Sequence, residues 1–142
     1  TTHSILASDL GESDLAYRLF GLSAGIDLGQ NMKSSDQGIH TASIGGIWKG
    51  VVFGFGGVRA LGGQLRINPR LPKAWDSLSY PLYWQGDLLK IHITHEAIQV
   101  TKVTDLNASL NLSIEGQNYS LEYKESMTIP LAGRKESVEQ IY

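Results

Sequence analysis

Ala42, Gly46, Gly50 and Gly54 recur every fourth residue inside an apolar run from Ile39 to Val58. On a helix this spacing gathers the four positions into one nearly bare stripe. Each interior glycine costs roughly 1 kcal/mol against alanine. Several such penalties need an offset, and the close approach of a neighbouring helix supplies one. The stripe therefore predicts a helix packed within a dense assembly of helices. A membrane-spanning helix is the rival reading, since small residues also line contacts between lipid-embedded helices. Lys49, Arg59 and the glycines that follow Gly38 argue against a lone lipid helix.

Helical spacing extends upstream of this run. Ile5, Leu6, Ala7 and Leu10 suit a closing helical turn, with Gly11 placed to stop it. Glu12 or Ser13 can open a second short helix that carries Leu15, Leu19, Leu22 and Ile26 on one face. Asp27 to Gln37 is polar and reads as a loop, after which Gly38 to Leu61 resumes as helix. Beyond Gly62-Gly63 the period changes to that of strands. Apolar residues then alternate with polar ones: Leu65 and Ile67, Leu78 to Trp84, Leu89 to Ile93, Ile98 and Val100, Leu110 to Ile114, Tyr119 to Tyr123, Met127 and Ile129. Turns are expected at Gly86-Asp87, Asp105 to Asn107 and Gly116-Gln117. This is an α+β chain: helices over 1–61, then an antiparallel β-sandwich over 62–142 with a fraying tail from Gly133.

A formal net charge of -2 gives no electrostatic footprint for nucleic acid or an anionic membrane surface. The chain has no cysteine, which removes disulfides, thiolate metal sites and a cysteine nucleophile, and suits a reducing, cytoplasmic compartment. It opens at Thr1 in what reads as helix interior, so it is expected to be cut from something longer.

Several motifs resolve to structure. Gly54-Phe55-Gly56-Gly57 has Arg59 where a dinucleotide fingerprint needs its third glycine, and no strand precedes it, so a helix end is expected. His92 and His95 lie three apart in a strand, not four apart on a helix, and with Glu96 they make a poor metal site. Asn107-Ala-Ser109, Asn111-Leu-Ser113 and Asn118-Tyr-Ser120 match glycosylation acceptors in a region rich in both residues, where chance matches are common. His40 differs. It stands between the polar loop and the glycine-striped helix, where a helix N-terminus welcomes anions. A buried or capping histidine is the structural alternative.

Ser34 to Arg59, S-S-D-Q-G-I-H-T-A-S-I-G-G-I-W-K-G-V-V-F-G-F-G-G-V-R, resembles the last barrel helix of glycoside hydrolase family 65. Gly62 to Gly86, with Asn68-Pro69, Leu71-Pro72, Trp75 and Leu78, resembles the start of that family's C-terminal domain. Ser4 to Gly11, S-I-L-A-S-D-L-G, looks like an earlier barrel helix. The resemblance covers about the first hundred residues. It implies the C-terminal helices of an (α/α)₆ barrel followed by a jelly-roll-like sandwich. It also implies inverting phosphorolysis of an α-glucosidic disaccharide such as maltose, trehalose, kojibiose or nigerose to β-glucose 1-phosphate and glucose. On this resemblance His40 is the phosphate-contacting histidine, with Gly38 and Thr41 offering flanking donors. The general acid and the phosphate-loop serines would lie upstream, and neither Glu12 nor Glu96 replaces the acid. The chain alone is therefore expected to be inactive. Inorganic phosphate is the co-substrate, with no cofactor or metal. The partners implied are the disaccharide, the rest of the barrel and a second copy of the parent.

Two alternatives stay open. A hydrolase of the same family, trehalase-like, would use water in place of phosphate, although an intact His40 motif favours phosphorolysis. A free-standing carbohydrate-binding sandwich would use Trp75, Trp84 and Tyr83 as stacking surfaces, but it has no need of the helical half.

Overall fold

The computed structural model describes residues 1–26 and 40–131, so the loop expected from Asp27 to Gln37 and the tail from Gly133 lie outside the described residues. The chain divides into two compact units, Thr1–Phe55 and Gly56–Tyr142.

The first unit contains α1 (Thr2–Asp9), α2 (Ser13–Ala24) and α3 (Thr41–Lys49), the last running on into a π-helical turn, Gly50–Phe55. Gly11 stops α1 as expected: the Gly11 and Glu12 amides close back on the Ser8 and Ala7 carbonyls at 3.1 and 2.9 Å. The glycine stripe is where the helices meet. A Cβ on Gly46 would lie 2.6 Å from Thr1 Oγ1, one on Gly50 3.2 Å from Phe20 Cδ2, and one on Gly54 3.5 Å from Ile5 Cγ1. Gly45, off the stripe, has nothing within 4 Å. Two buried serines on α1 complete the contact. Ser4 Oγ donates to the Ala16 carbonyl at 2.8 Å, and Ser8 Oγ to the Gly54 carbonyl at 2.9 Å. The second bond satisfies a carbonyl inside the π turn, where the regular i→i−4 ladder is broken.

On α2 the packed positions are Ala16 and Phe20, which are buried, while Leu15 and Leu22 are 38% and 70% exposed. Small Ala16 lets α1 come close, and Phe20 packs edge-on against Phe55 at 5.3 Å. The long helix expected to run to Leu61 ends at Phe55, because Gly57 takes φ 66 and turns the chain into a strand. A Cβ there would overlap the Asn68 carbonyl. The two units thus divide ahead of the seam expected after Leu61.

Among the described residues the second unit holds eight strands: β1 (Val58–Leu61), β2 (Gln64–Ile67), β3 (Ser77–Trp84), β4 (Asp87–Thr94), β5 (Ala97–Lys102), β6 (Ser109–Ile114), β7 (Gln117–Glu122) and β8 (Ser126–Pro130). They form two four-stranded sheets, β1-β2-β6-β7 and β3-β4-β5-β8. Three hairpins share one design, with left-handed residues at both turn positions: Gly62-Gly63, Gln85-Gly86 and Glu115-Gly116. Such two-residue turns match the strand twist. Pro81 sits in β3, an edge strand, where a missing donor is tolerated. Pairing is antiparallel with one exception: β2 and β6 run parallel, Leu65 opposite Leu112. The chain leaves β2 through Pro69 and Pro72, builds β3, β4 and β5 of the other sheet, and returns beside β2 in the same direction. Only a long connection of this kind permits a parallel pair.

Alternation buries one side of each sheet. Leu65, Ile67, Leu110, Leu112, Ile114 and Leu121 line one. Tyr80, Leu89, Ile91, Ile93, Ile98 and Val100 line the other. A charged pair is buried beside them: Asp87 and Lys102 are both 0% exposed and 3.3 Å apart. Lys102 Nζ donates to the Thr104 carbonyl at 2.7 Å. The Asp87 carboxylate accepts from Thr104 Oγ1, the Leu106 amide and both nitrogens of Asn107. Burial pushes the Asp87 pKa up, but these hydrogen bonds outweigh it and hold the carboxyl well below its ordinary range. The network pins the segment after β5 to the start of β4.

Candidate functional site

His40 occupies the N-cap of α3, and Thr41 is the first helical residue. The cap is made by backbone: the His40 carbonyl accepts from the Ser43 and Ile44 amides at 2.9 and 3.1 Å. The imidazole makes no capping bond, and both His40 and Thr41 are exposed. Within this chain the ring is therefore neither buried nor the cap of α3. Gly38 lies outside the described residues.

The α3 segment builds an open groove of ≈ 590 Å³ against α1 and the end of α2. Thr1, Thr2, Ser23, Ser43 and Lys49 give it a lining of hydroxyls and one cation, and Gly45 and Gly46 let it run close to the helix backbone. Within it the Thr1 backbone nitrogen donates to Ser23 Oγ at 3.0 Å. Hydroxyls and a lysine beside a helix start are the donor set that an anion needs. Ser43 comes from the first turn that His40 caps. His40 and Thr41 are not part of the groove's lining, so the structure places them next to this surface without gathering them into it. Among the described residues no carboxylate lines the groove. Asp9, Glu12 and Asp14 of this unit are exposed elsewhere on it. Lys49 and the hydroxyls of Ser23 and Ser43 were missed at the sequence level. Only their helical spacing relative to the glycine stripe could have pointed to them.

The other motifs are accounted for by structure. His92 lies on the outer face of β4 with its Nδ1 2.7 Å from Ser79 Oγ, and His95 Nε2 sits 2.8 Å from the Trp75 carbonyl in the turn beyond. Gly54 to Gly57 is the end of the π turn leading into β1. Of the three aromatics considered for stacking, Trp75 and Trp84 are half-buried, and Tyr83 alone is open, at 71% exposure. No helix among the described residues is long and apolar enough to cross a membrane.

Comparison with known proteins follows the division into units. Residues 1–49 match the central catalytic domain of glycosyl hydrolase family 65, and residues 58–135 match the C-terminal domain of the same family. A kojibiose phosphorylase of Halothermothrix orenii is 41% identical over 128 residues, which are 88% of this chain and 16% of that protein. The kojibiose phosphorylase of Escherichia coli is 38% identical over 109 residues, 77% of this chain and 14% of the relative. An α,α-trehalose phosphorylase of Thermoanaerobacter brockii is 40% identical over 95 residues, 67% of this chain and 12% of the relative. A solved structure, a putative kojibiose phosphorylase from the human microbiome, superposes with a TM-score of 0.83 at 28% identity, covering 99% of this chain and 19% of its own. The chain thus spans less than a fifth of the length of these relatives. With both domains matched in order on either side of the junction at Phe55, it belongs to glycosyl hydrolase family 65.

Proposed function

We propose that this chain is the C-terminal part of an inverting glycoside phosphorylase, whose parent cleaves an α-glucosidic disaccharide with inorganic phosphate. The observation that carries the reading is the run of relatives named kojibiose and trehalose phosphorylases across both units. In this reading α1 to α3 are the closing helices of an (α/α)₆ barrel, and the two sheets pack face to face as a jelly-roll-like sandwich. The exposed apolar faces of the helices support this. Leu6, Leu10, Leu22 and Trp48 are 53–80% exposed, as expected of helices that lack their neighbours.

The chemistry asks little of this chain and much of its position. A carboxylic acid elsewhere in the parent protonates the glycosidic oxygen, and phosphate attacks the anomeric carbon from the opposite face. The products are β-glucose 1-phosphate and glucose, and no catalytic base is required. The task here is to hold phosphate in line, an orientation and charge-stabilisation role. His40 is the residue assigned to it, helped by Thr41 and by the amides at the start of α3. The parent is expected to be a homodimer.

The test is to incubate the full-length enzyme with kojibiose, with and without inorganic phosphate. Glucose 1-phosphate released only when phosphate is present supports the reading. Free glucose as the only sugar product, at a rate indifferent to phosphate, would replace it with hydrolysis.

A further inference from the structure

The outer faces of the two sheets treat their polar side chains differently. On the β3-β4-β5-β8 sheet, cross-strand neighbours satisfy each other: Ser79 with His92 at 2.7 Å, and Thr101 with Ser126 at 2.9 Å. On the β1-β2-β6-β7 sheet the register sets Asn111 opposite Ser120 and Ser113 opposite Asn118. Gln64 adjoins them on β2, one residue before Leu65, the partner of Leu112. Among the described residues, none of these five side chains is bonded to another protein group. They line one open depression of ≈ 400 Å³. Ser113 is only 8% exposed as a residue, yet its hydroxyl still reaches solvent at the depression.

With Leu112 and Tyr119 completing it, the lining has three carboxamides, two serine hydroxyls, a tyrosine and a leucine, and no carboxylate, lysine, arginine or histidine. A carboxamide presents a donor and an acceptor side by side, which suits two adjacent hydroxyls of a pyranose ring. Arg66 stands opposite Ser113 in the register but is not part of the lining, which itself offers an ion no opposite charge to repay its desolvation. We propose that this depression is a binding site for a neutral glucosyl saccharide, built by the β unit alone. The choice of a glucosyl sugar rests on the phosphorylase reading above. The preference for an uncharged polyol rests on the lining itself.

The experiment is a saturation-transfer NMR titration of the 142-residue chain with kojibiose. The Asn111→Ala/Asn118→Ala double variant and Ser113→Ala are measured alongside; both asparagines are exposed, so the double variant keeps the fold. Binding by the wild type, weakened about tenfold in the double variant and indifferent to added phosphate, supports the site. No binding, equal binding by the variants, or displacement of the sugar by phosphate would overturn it. A second arm places Ser120→Cys in the full-length enzyme and measures maleimide labelling of the peptide that carries it. Labelling supports an open site, whereas protection means that another part of the protein covers this face and overturns the proposal. The phosphorylase reading fails separately: binding here with no phosphate-dependent turnover by the parent would remove that reading and retain the depression.

Discussion

Alanine at Gly57 and alanine at Gly116 impose the same backbone strain in different surroundings. Gly57 has φ 66 and Gly116 φ 81, so either substitution forces an L-residue into the left-handed region at about 1–2 kcal/mol. Around Gly116 nothing lies within 4 Å of the new Cβ. At Gly57 the Cβ overlaps the Asn68 carbonyl, a backbone group held by the pairing of β1 with β2. Relief requires the two segments to separate, which strains or breaks the bond from the Asn68 amide to the Gly57 carbonyl, 3.0 Å long. That bond is worth about 0.5–1.5 kcal/mol net. Gly57→Ala should therefore destabilise the β unit by about 1.5–3.5 kcal/mol, about 1 kcal/mol more than Gly116→Ala. With a urea slope of about 1–3 kcal/mol per molar, the excess appears as a midpoint lower by roughly 0.5 M, read from tryptophan fluorescence of Trp75 and Trp84. Equal midpoints for the two variants would refute the close approach of Gly57 to Asn68.

The exposed helix faces predict that the chain self-associates in dilute solution, and that Leu22→Glu together with Leu10→Glu reduces the association; a monomer at all concentrations by analytical ultracentrifugation would count against it. The chain alone should release no glucose 1-phosphate from kojibiose and phosphate, because the described residues put no carboxylate at the groove; turnover above a buffer blank contradicts this. The depressed pKa of Asp87 means that its contribution to stability is complete above its ordinary value of 3.8 and is lost as pH falls through the lower folded value. Its carboxyl carbon should still report an ionised group by NMR at about pH 3, and a midpoint near 3.8 would show that the hydrogen-bonded network is not formed.

Much of the strand pattern was legible because period-two alternation is a local signal. The inward residues from Leu65 to Ile129 are the ones the alternation picks out. The turns were legible to within one residue. Gly86 and Gly116 mark them, but glycine takes the second of two left-handed positions, so Gln85 and Glu115 complete the pair rather than Asp87 and Gln117. β1 was hidden because Val58 to Leu61 prolongs an apolar run with no proline to interrupt it. The face of α2 that packs within this chain was not legible. Hydrophobicity chose the leucines, whereas packing within the described helices is decided by Ala16, whose small size admits α1. Asp87 looked like a turn residue, since its bonds to Lys102 and Asn107 span long stretches of sequence and leave no periodic trace. The start of α3 at His40 was visible from the change of composition after the polar loop. The groove beside it was not, because Thr1, Ser23 and Lys49 meet only after the glycine stripe draws three helices together.

The most direct test is His40→Ala in the full-length enzyme, with phosphate dependence and thermal stability measured on the same preparation. A hydrogen bond to a charged group is worth about 1.5–3 kcal/mol net, so apparent phosphate affinity or phosphorolysis should fall by roughly 10–150-fold. The melting temperature should hold, because the exposed imidazole makes no capping bond to α3. A lowered melting temperature with unchanged phosphate dependence would contradict the account and reassign His40 to the helix.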